Sequence, residues 1–136
     1  QQQKIVNERF DQAKKELKLS RQALKRWFTD KYLENNPDTY EKISSILSGN
    51  NMTNFLKVYE LFVRHKNDED FEKIQTKTLV MTGEHDIGST IEMSQQLNNV
   101  IKHSELKIIK AGKHLCGIEC ADEVNLSIKN FIEKYE

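Results

Sequence analysis

The sequence predicts an α/β fold in which a run of helices precedes a small parallel sheet. Residues 74–136 alternate between short β-branched runs and amphipathic helical periods, in the order strand, helix, strand, helix. This order is typical of a parallel sheet flanked by helices. Residues 1–73 show helical periods only. We therefore expect an all-helical segment over 1–73 and a βαβα part over 74–136.

The helical segment carries apolar stripes together with residues that begin or end helices. From Val6 to Leu17, apolar residues recur at spacings of three and four, which predicts the first amphipathic helix. Later helices show capping residues, a proline in the first turn and a glycine at the end. The predicted boundary residues are Ser20, Asn36 with Pro37, Gly49 and Thr53.

Two short runs in the second part predict buried strands. Residues 78–82 are β-branched or apolar and are closed by Gly83, and residues 106–109 form the second run. Either Ser89 or Thr90 can cap the helix between them. An amphipathic helix follows over 124–135. The strands are expected to pair in parallel because a helix connects them.

Composition and charge favour a compact intracellular domain. Lysine plus arginine and aspartate plus glutamate are balanced at 21 each, so no net field attracts nucleic acid or an anionic membrane. The apolar run 79–81 is far shorter than the ~20 residues that cross a bilayer. No signal segment is present, so we expect Cys116 and Cys120 to be reduced thiols and the protein to be cytoplasmic. Since the chain starts in mid-helix without methionine, we expect a piece of a longer protein.

Two polar loops follow the carboxyl ends of the predicted strands, where open α/β sheets bind their ligands. The first loop carries Asp86 and the second carries His114. Adjacent strands lie ~4.8 Å apart, so the two side chains can meet. A carboxylate there can orient an imidazole that takes up and returns a proton. The alternative is a turn aspartate and an unrelated surface histidine.

These loops resemble those of a known family. Residues 79–86 resemble the penultimate strand and acid loop of α/β-hydrolases, and residues 106–114 resemble their last strand and histidine loop. The resemblance covers 74–136 and implies the C-terminal part of an α/β-hydrolase. It also implies that Asp86 and His114 are the acid and histidine of a Ser-His-Asp triad.

The helical segment extends this resemblance. Arg-Trp-Phe-Thr at 26–29, followed by Asn36 and Pro37, resembles the helical cap of the 3-oxoadipate enol-lactonase branch. The resemblance implies that 1–73 form a cap, that the substrate is a small ester or lactone, and that neither a metal nor an organic cofactor is needed. Trp27 is then either a core residue of the cap or a substrate-binding wall.

The nucleophile of such a triad is not recognisable in this sequence. Hydrolases of this family carry the serine in a Gly-x-Ser-x-Gly turn that precedes the acid and the histidine. None of the eight serines has glycine both two residues before and two residues after it. We therefore expect the chain to supply the acid and the histidine, to lack the serine, and to be inactive by itself.

Other functions remain open at this point. The same fold also supports carbon–carbon bond hydrolysis and haloperoxidase-like chemistry, and a non-catalytic helical interaction module is a third alternative. A metal cluster of His85, His114 and Cys116 is disfavoured because zinc sites show tightly paired ligands. We interpret Cys116 as a packing residue. The outer edge of the strand at 78–82 is expected to mediate self-association.

Overall fold

The structure is a computed structural model that describes residues 2–16, 22–64 and 70–136. Leu17, the last residue of the predicted first stripe, and Ser20, a predicted helix boundary, lie outside the described residues. The chain divides into two compact units. The first comprises Gln1–Leu24 and Leu33–Glu69, and the second comprises Lys25–Tyr32 and Asp70–Glu136.

The first unit is helical. Helix α1 (Gln2–Glu16) packs on helix α5 (Met52–Arg64), and helix α4 is Pro37–Gly49. The apolar stripe of α1 buries Phe10 and Ala13. The Phe10 ring meets the edge of Tyr59 with ring centroids 5.5 Å apart, so aromatic packing joins α1 to α5.

The boundaries of α4 agree with the sequence, whereas the start of α5 does not. Helix α4 begins at Pro37 after Asn36 and ends at Gly49, as predicted. Helix α5 begins one residue before Thr53, the predicted cap. Asn51 is the cap instead, because its side-chain oxygen accepts a hydrogen bond from the Asn54 amide at 3.0 Å. The Thr53 prediction was therefore wrong by two residues.

Two short helices lie between α1 and α4. These are α2 (Gln22–Trp27) and α3 (Asp30–Asn35). The chain leaves the helical path at Phe28, whose side chain is fully buried and stacks on Tyr32 with ring centroids 5.3 Å apart. This short break lies within residues 25–32, which belong to the second unit.

The second unit is built on two parallel strands. Strand β1 (Thr78–Gly83) pairs with β2 (Ser104–Ile109), with Thr78 opposite Ser104 and Gly83 opposite Ile109. Strand β2 begins two residues before the predicted 106–109. The reason is that the Thr78 amide donates to the His103 carbonyl at 3.0 Å, so that the ladder starts at the first residue of β1.

Helices cover the strands and complete the unit. Helix α6 (Ile91–Val100) contacts both strands, and α8 (Ala121–Tyr135) contacts β2. A short 3-10 turn, Phe71–Lys73, contacts α6, and the short helix α7 is Cys116–Glu119. Burial of apolar side chains stabilises this core. Its buried residues include Val80, Thr82, Ser94, Ile101, Ile109 and Val124.

Strand β1 is paired on one side only within the described residues, where the sheet has two strands. Over the same residues, no helix is both long enough and apolar enough to cross a membrane.

Candidate active site at the ends of the two strands

The acid loop begins where β1 ends and holds its own aspartate. The Asp86 amide donates to the Gly83 carbonyl at 3.1 Å, which closes a tight turn. Asp86 Oδ1 then accepts hydrogen bonds from the amides of Gly88 at 2.7 Å and Ser89 at 3.1 Å. The Asp86 side chain is only 5% exposed. A carboxylate this buried needs such donors, and the loop backbone supplies them.

The residues after the acid fix the start of α6. The Thr82 hydroxyl donates to the Ser89 carbonyl at 2.6 Å, which ties the end of β1 to the loop. Thr90, rather than Ser89, caps α6 by accepting from the Met93 amide at 3.4 Å. The acid loop is thus held at both ends by contacts that span only a few residues.

The structure brings the two predicted triad residues together. Asp86 Oδ2 lies 2.8 Å from His114 Nδ1, within hydrogen-bond distance. The histidine side chain is 45% exposed, in contrast to the buried acid. The contact engages Nδ1 and leaves Nε2 to exchange a proton with a nucleophile, as in a Ser-His-Asp triad. The predicted contact is confirmed, and the catalytic roles of both residues stay predictions.

The two loops are joined through their backbones. The Glu84 amide donates to the Ile109 carbonyl and the His85 amide donates to the Gly112 carbonyl, each at 2.9 Å. The Glu84 carboxylate accepts from the Ala111 amide, also at 2.9 Å. These contacts continue the pairing of the strands past their ends. They set the separation of the two loops, and hence the separation of the acid from the histidine.

Gly83 marks the closest approach of the two loops. A Cβ at this position would lie 2.5 Å from the Gly112 carbonyl oxygen, and it would also collide with the Lys113 carbonyl oxygen. Both atoms belong to the backbone, so the loop must shift to make room for a side chain. Only glycine fits here, because the histidine loop packs directly on the last residue of β1.

The histidine loop is anchored by residues distant in sequence. The Leu115 amide donates to the Trp27 carbonyl at 3.0 Å, and the Lys113 ammonium donates to the Lys25 carbonyl at 2.8 Å. Trp27 is half-buried. The predicted substrate-binding residue therefore lies in the same unit as the triad pair, with its backbone bonded beside the histidine.

Sequence reasoning missed Glu119. This residue ends α7, a helix that was not predicted, and its carboxylate accepts from the amides of Lys113 and Thr29 at 3.0 and 2.9 Å. The Thr29 hydroxyl donates to the same carboxylate. Thr29 is 90 positions away in the sequence, so no local pattern could reveal the contact.

The remaining candidates behave as packing or surface groups. Burial raises the pKa of the Cys116 thiol, and the nearby Asp86 charge raises it further. The thiol is therefore protonated at neutral pH, which fits a packing role better than a nucleophilic one. The His85 side chain is more than half exposed. In the described part of the chain, no three His, Cys, Asp or Glu residues are grouped to hold a metal ion.

Two solved structures share this architecture. The chain superimposes on MGS-M2, an α/β-hydrolase enzyme from a Medee basin deep-sea metagenome library, with a TM-score of 0.78 and 16% identity. This alignment covers 99% of this chain and 52% of that one. The chain has the α/β-hydrolase fold. The enol-lactonase from Burkholderia xenovorans LB400 gives a TM-score of 0.77 at 22% identity, covering 82% of this chain and 42% of that one.

Curated relatives agree with the structural neighbours. The chain is 24% identical to 3-oxoadipate enol-lactonase 2 of Acinetobacter baylyi over 86% of its own length and 43% of the relative. It is 26% identical to the (E)-2-((N-methylformamido)methylene)succinate hydrolase of the same organism, over 81% of its own length and 42% of the relative. No protein-family model matches the chain. The chain thus spans about two-fifths of the length of these relatives.

These findings confirm the resemblance to α/β-hydrolases with enol-lactonase-like relatives. They also confirm the predicted fold class, two parallel strands with flanking helices as in the C-terminal part of an α/β-hydrolase. The division into a cap over 1–73 and a core part over 74–136 stays a prediction, as does the role of Trp27.

Proposed function

We propose that this chain is the C-terminal part of a serine hydrolase that cleaves a small ester or lactone. The observation that carries the proposal is the 2.8 Å contact between Asp86 Oδ2 and His114 Nδ1. A buried carboxylate bonded to Nδ1 holds the imidazole in the tautomer that accepts a proton at Nε2. The enol-lactonase and hydrolase relatives support the same reaction class.

In the proposed mechanism, Asp86 orients and His114 transfers protons. His114 takes the proton of a serine hydroxyl as the serine attacks the ester carbonyl, and then returns it to the leaving alcohol. Asp86 stays ionised and stabilises the imidazolium formed between these steps. The serine, in a Gly-x-Ser-x-Gly turn, and a separate oxyanion loop are supplied by other residues of the complete protein.

The helical residues complete the proposed site. In this proposal residues 1–73 are the cap segment, and Trp27 forms part of the wall of the substrate pocket. The hydrogen bond from the Leu115 amide to the Trp27 carbonyl supports this assignment. Leu115 is the residue next to His114, the proposed base, so the bond holds the Trp27 backbone beside the histidine loop. We place the complete protein in the cytoplasm, and it uses neither a metal nor an organic cofactor.

The test is hydrolysis of a p-nitrophenyl ester and a small lactone by the complete protein. Asp86→Asn should lower kcat by about 10⁴-fold, because the histidine then adopts the wrong tautomer. His114→Ala should cost at least as much. His85→Ala is the matched control, since that exposed neighbouring histidine has no proposed role. Full activity of the His114→Ala protein would overturn the proposal, and no hydrolysis of either substrate by the unsubstituted complete protein would favour the non-catalytic interaction module.

The same assay separates the chain from the complete protein. The 136-residue chain alone should hydrolyse the ester no faster than its His114→Ala variant, because a triad without its nucleophile retains little catalysis. Turnover by the chain that depends on His114 would show that a nucleophile is present in this sequence.

A further inference from the structure

The two residues that flank His114 are both held by hydrogen bonds from their backbone amides. The Lys113 amide donates to Glu119 Oε2 at 3.0 Å. The Leu115 amide donates to the Trp27 carbonyl at 3.0 Å. The backbone of His114 is therefore fixed on both sides, and neither bond involves Asp86. A displacement of Glu119 or Trp27 would therefore act on the backbone at one side of His114.

The second oxygen of Glu119 reaches the Trp27 segment. Glu119 Oε1 accepts from the Thr29 amide at 2.9 Å and also from the Thr29 hydroxyl. A single half-buried carboxylate therefore collects three donors from two segments of the chain. Hydrogen bonds to an ionised carboxylate are roughly twice as strong as neutral ones, so this junction is a firm one.

We propose that Glu119 is a positioning residue for His114, and that it ties the histidine loop to the segment that carries Trp27. The inference rests on the proposed function, in which His114 transfers the proton and Trp27 lines the pocket. Glu119 touches neither substrate nor reacting atoms. It sets where the histidine stands relative to Asp86 and where the Trp27 wall stands relative to the histidine.

A purely structural glutamate would stabilise the unit without affecting the histidine. The two roles differ in what they predict for the Asp86–His114 contact. A positioning role requires that loss of Glu119 loosens this contact while the unit remains folded. Misplacement of a catalytic group by about 1 Å can cost about 10²-fold in rate, so even a small loosening is measurable.

Glu119→Gln is the main variant, because it keeps the shape of the side chain and removes one acceptor. The glutamine oxygen can still accept from Thr29, but its amide nitrogen then faces the Lys113 amide, donor against donor. Glu119→Ala removes both links. Thr29→Val removes the hydroxyl, which also accepts from the Tyr32 amide at 3.2 Å, and leaves both amide bonds to Glu119. Glu133→Gln is the control, since that glutamate is exposed and, among the described residues, pairs with Lys129 on α8.

Kinetics of the complete protein provide the first measurement. Glu119→Gln should lower kcat for the ester by about 10-fold and Glu119→Ala by about 10²-fold. Thr29→Val should have a smaller effect. Adding Thr29→Val to Glu119→Ala should lower kcat no further, because the hydroxyl reaches the histidine loop through the carboxylate that is already gone. Thermal stability is compared separately, since the Thr29 hydroxyl also accepts from the Tyr32 amide at 3.2 Å. Additive losses in this cycle, or wild-type kcat in folded Glu119→Gln, would overturn the inference.

The NMR resonance of the His114 Nδ1 proton provides the second measurement, on the 136-residue chain. The resonance of this proton, bonded to Asp86, should shift or broaden in Glu119→Gln and stay unchanged in Glu133→Gln. An unchanged resonance in Glu119→Gln overturns the positioning role even if the proposed hydrolase activity stands. If His114→Ala leaves the complete protein active, the proposed function fails, and the NMR result then decides separately whether Glu119 holds the loop.

Discussion

The acid loop and the histidine loop are held in place in different ways. Asp86 is fixed by the amides of Gly88 and Ser89, two and three residues away. The loop of His114 is fixed by the Trp27 carbonyl and by Glu119, which in turn is bound to the segment after Trp27. The Asp86 carboxylate is thus held by its own turn, whereas the histidine loop is also held by the segment around Trp27, which is distant in sequence.

The difference agrees with what each side chain would do. In the proposed mechanism the carboxylate orients the imidazole and stabilises its charged form, so it benefits from burial among fixed donors. The histidine must exchange protons with groups that come and go, and its side chain is the more exposed of the two. A histidine held through its backbone neighbours keeps its ring accessible while its position is set.

The largest effect on the packing of the two loops is expected at Gly83, where they touch. Gly83→Ala places a methyl group 2.5 Å from the Gly112 carbonyl oxygen. Backbone atoms must then move, and overpacking of this kind costs about 1–3 kcal/mol. We expect a clearly lower melting temperature by circular dichroism and loss of the Asp86–His114 contact by NMR.

Gly117→Ala is the matched control for this substitution. A Cβ at Gly117 meets nothing within 4 Å, and the residue lies in α7, close in sequence to the same loop. Alanine is favoured over glycine in a helix by roughly 0.5–1 kcal/mol, so the control should be neutral or stabilising. Equal stability of Gly83→Ala and wild type would mean that the two loops do not pack as closely as the structure has them.

The comparison also explains which parts of the site could be predicted from sequence. The acid turn, the Thr90 cap and the end of β1 depend on contacts within a few residues, and their residue types follow the local rules. Strand order places the loops of Asp86 and His114 at one edge, because parallel strands present their carboxyl ends there, and the resemblance to α/β-hydrolases selected these two residues. These features were predictable.

The supports of the histidine loop were not predictable. Helix α7 has four residues and includes Gly117, so it shows no helical period. The break at Phe28 separates two helices that share one apolar pattern, and Glu119 meets Thr29 across 90 positions. In each case a contact between residues distant in sequence determines the structure, and a local sequence pattern cannot predict it.

The outer edge of β1 carries backbone groups that β2 does not pair with. The amides of Thr78 and Glu84 donate to the second strand and its end, at His103 and Ile109. Alternation along the strand directs the Val80 amide to β2 and the Met81 amide to the opposite edge. In the described residues no strand pairs with that edge. We therefore expect the chain by itself to self-associate there at micromolar concentration.

Two proline substitutions test this expectation by light scattering and circular dichroism. Met81→Pro removes a donor only from the outer edge, where proline is tolerated, so it should leave the chain folded and shift it toward monomer. Val80→Pro removes a bond of the β1–β2 ladder and should destabilise the unit. A wild-type chain that is monomeric at micromolar concentration would show that this edge does not mediate self-association.

The smallest expected effect concerns Cys116, which lies two residues after His114. The pKa of its thiol responds to the charge of Asp86. Burial is the main cause of its raised pKa, and the Asp86 carboxylate is the second. The thiolate is the form that reacts with iodoacetamide. Asp86→Asn removes a negative charge that opposes ionisation, so the pKa of the thiol should fall and alkylation should accelerate. The gain should stay below about tenfold, which would correspond to one full pKa unit.

Cys120 provides an internal reference for this measurement. Burial also raises its pKa, but the charges that raise it further belong to Glu119, Cys116 and Glu123, and Asp86 is not among them. The rates at the two thiols can be separated by fragment-ion mass spectrometry after brief alkylation at pH 8. Asp86→Asn should therefore accelerate Cys116 more than Cys120. Equal acceleration of both thiols would indicate that the histidine loop and α7 had opened as a whole. In that case the aspartate would hold the histidine loop in place as well as orient the imidazole, and the contrast between the two loops would have to be given up.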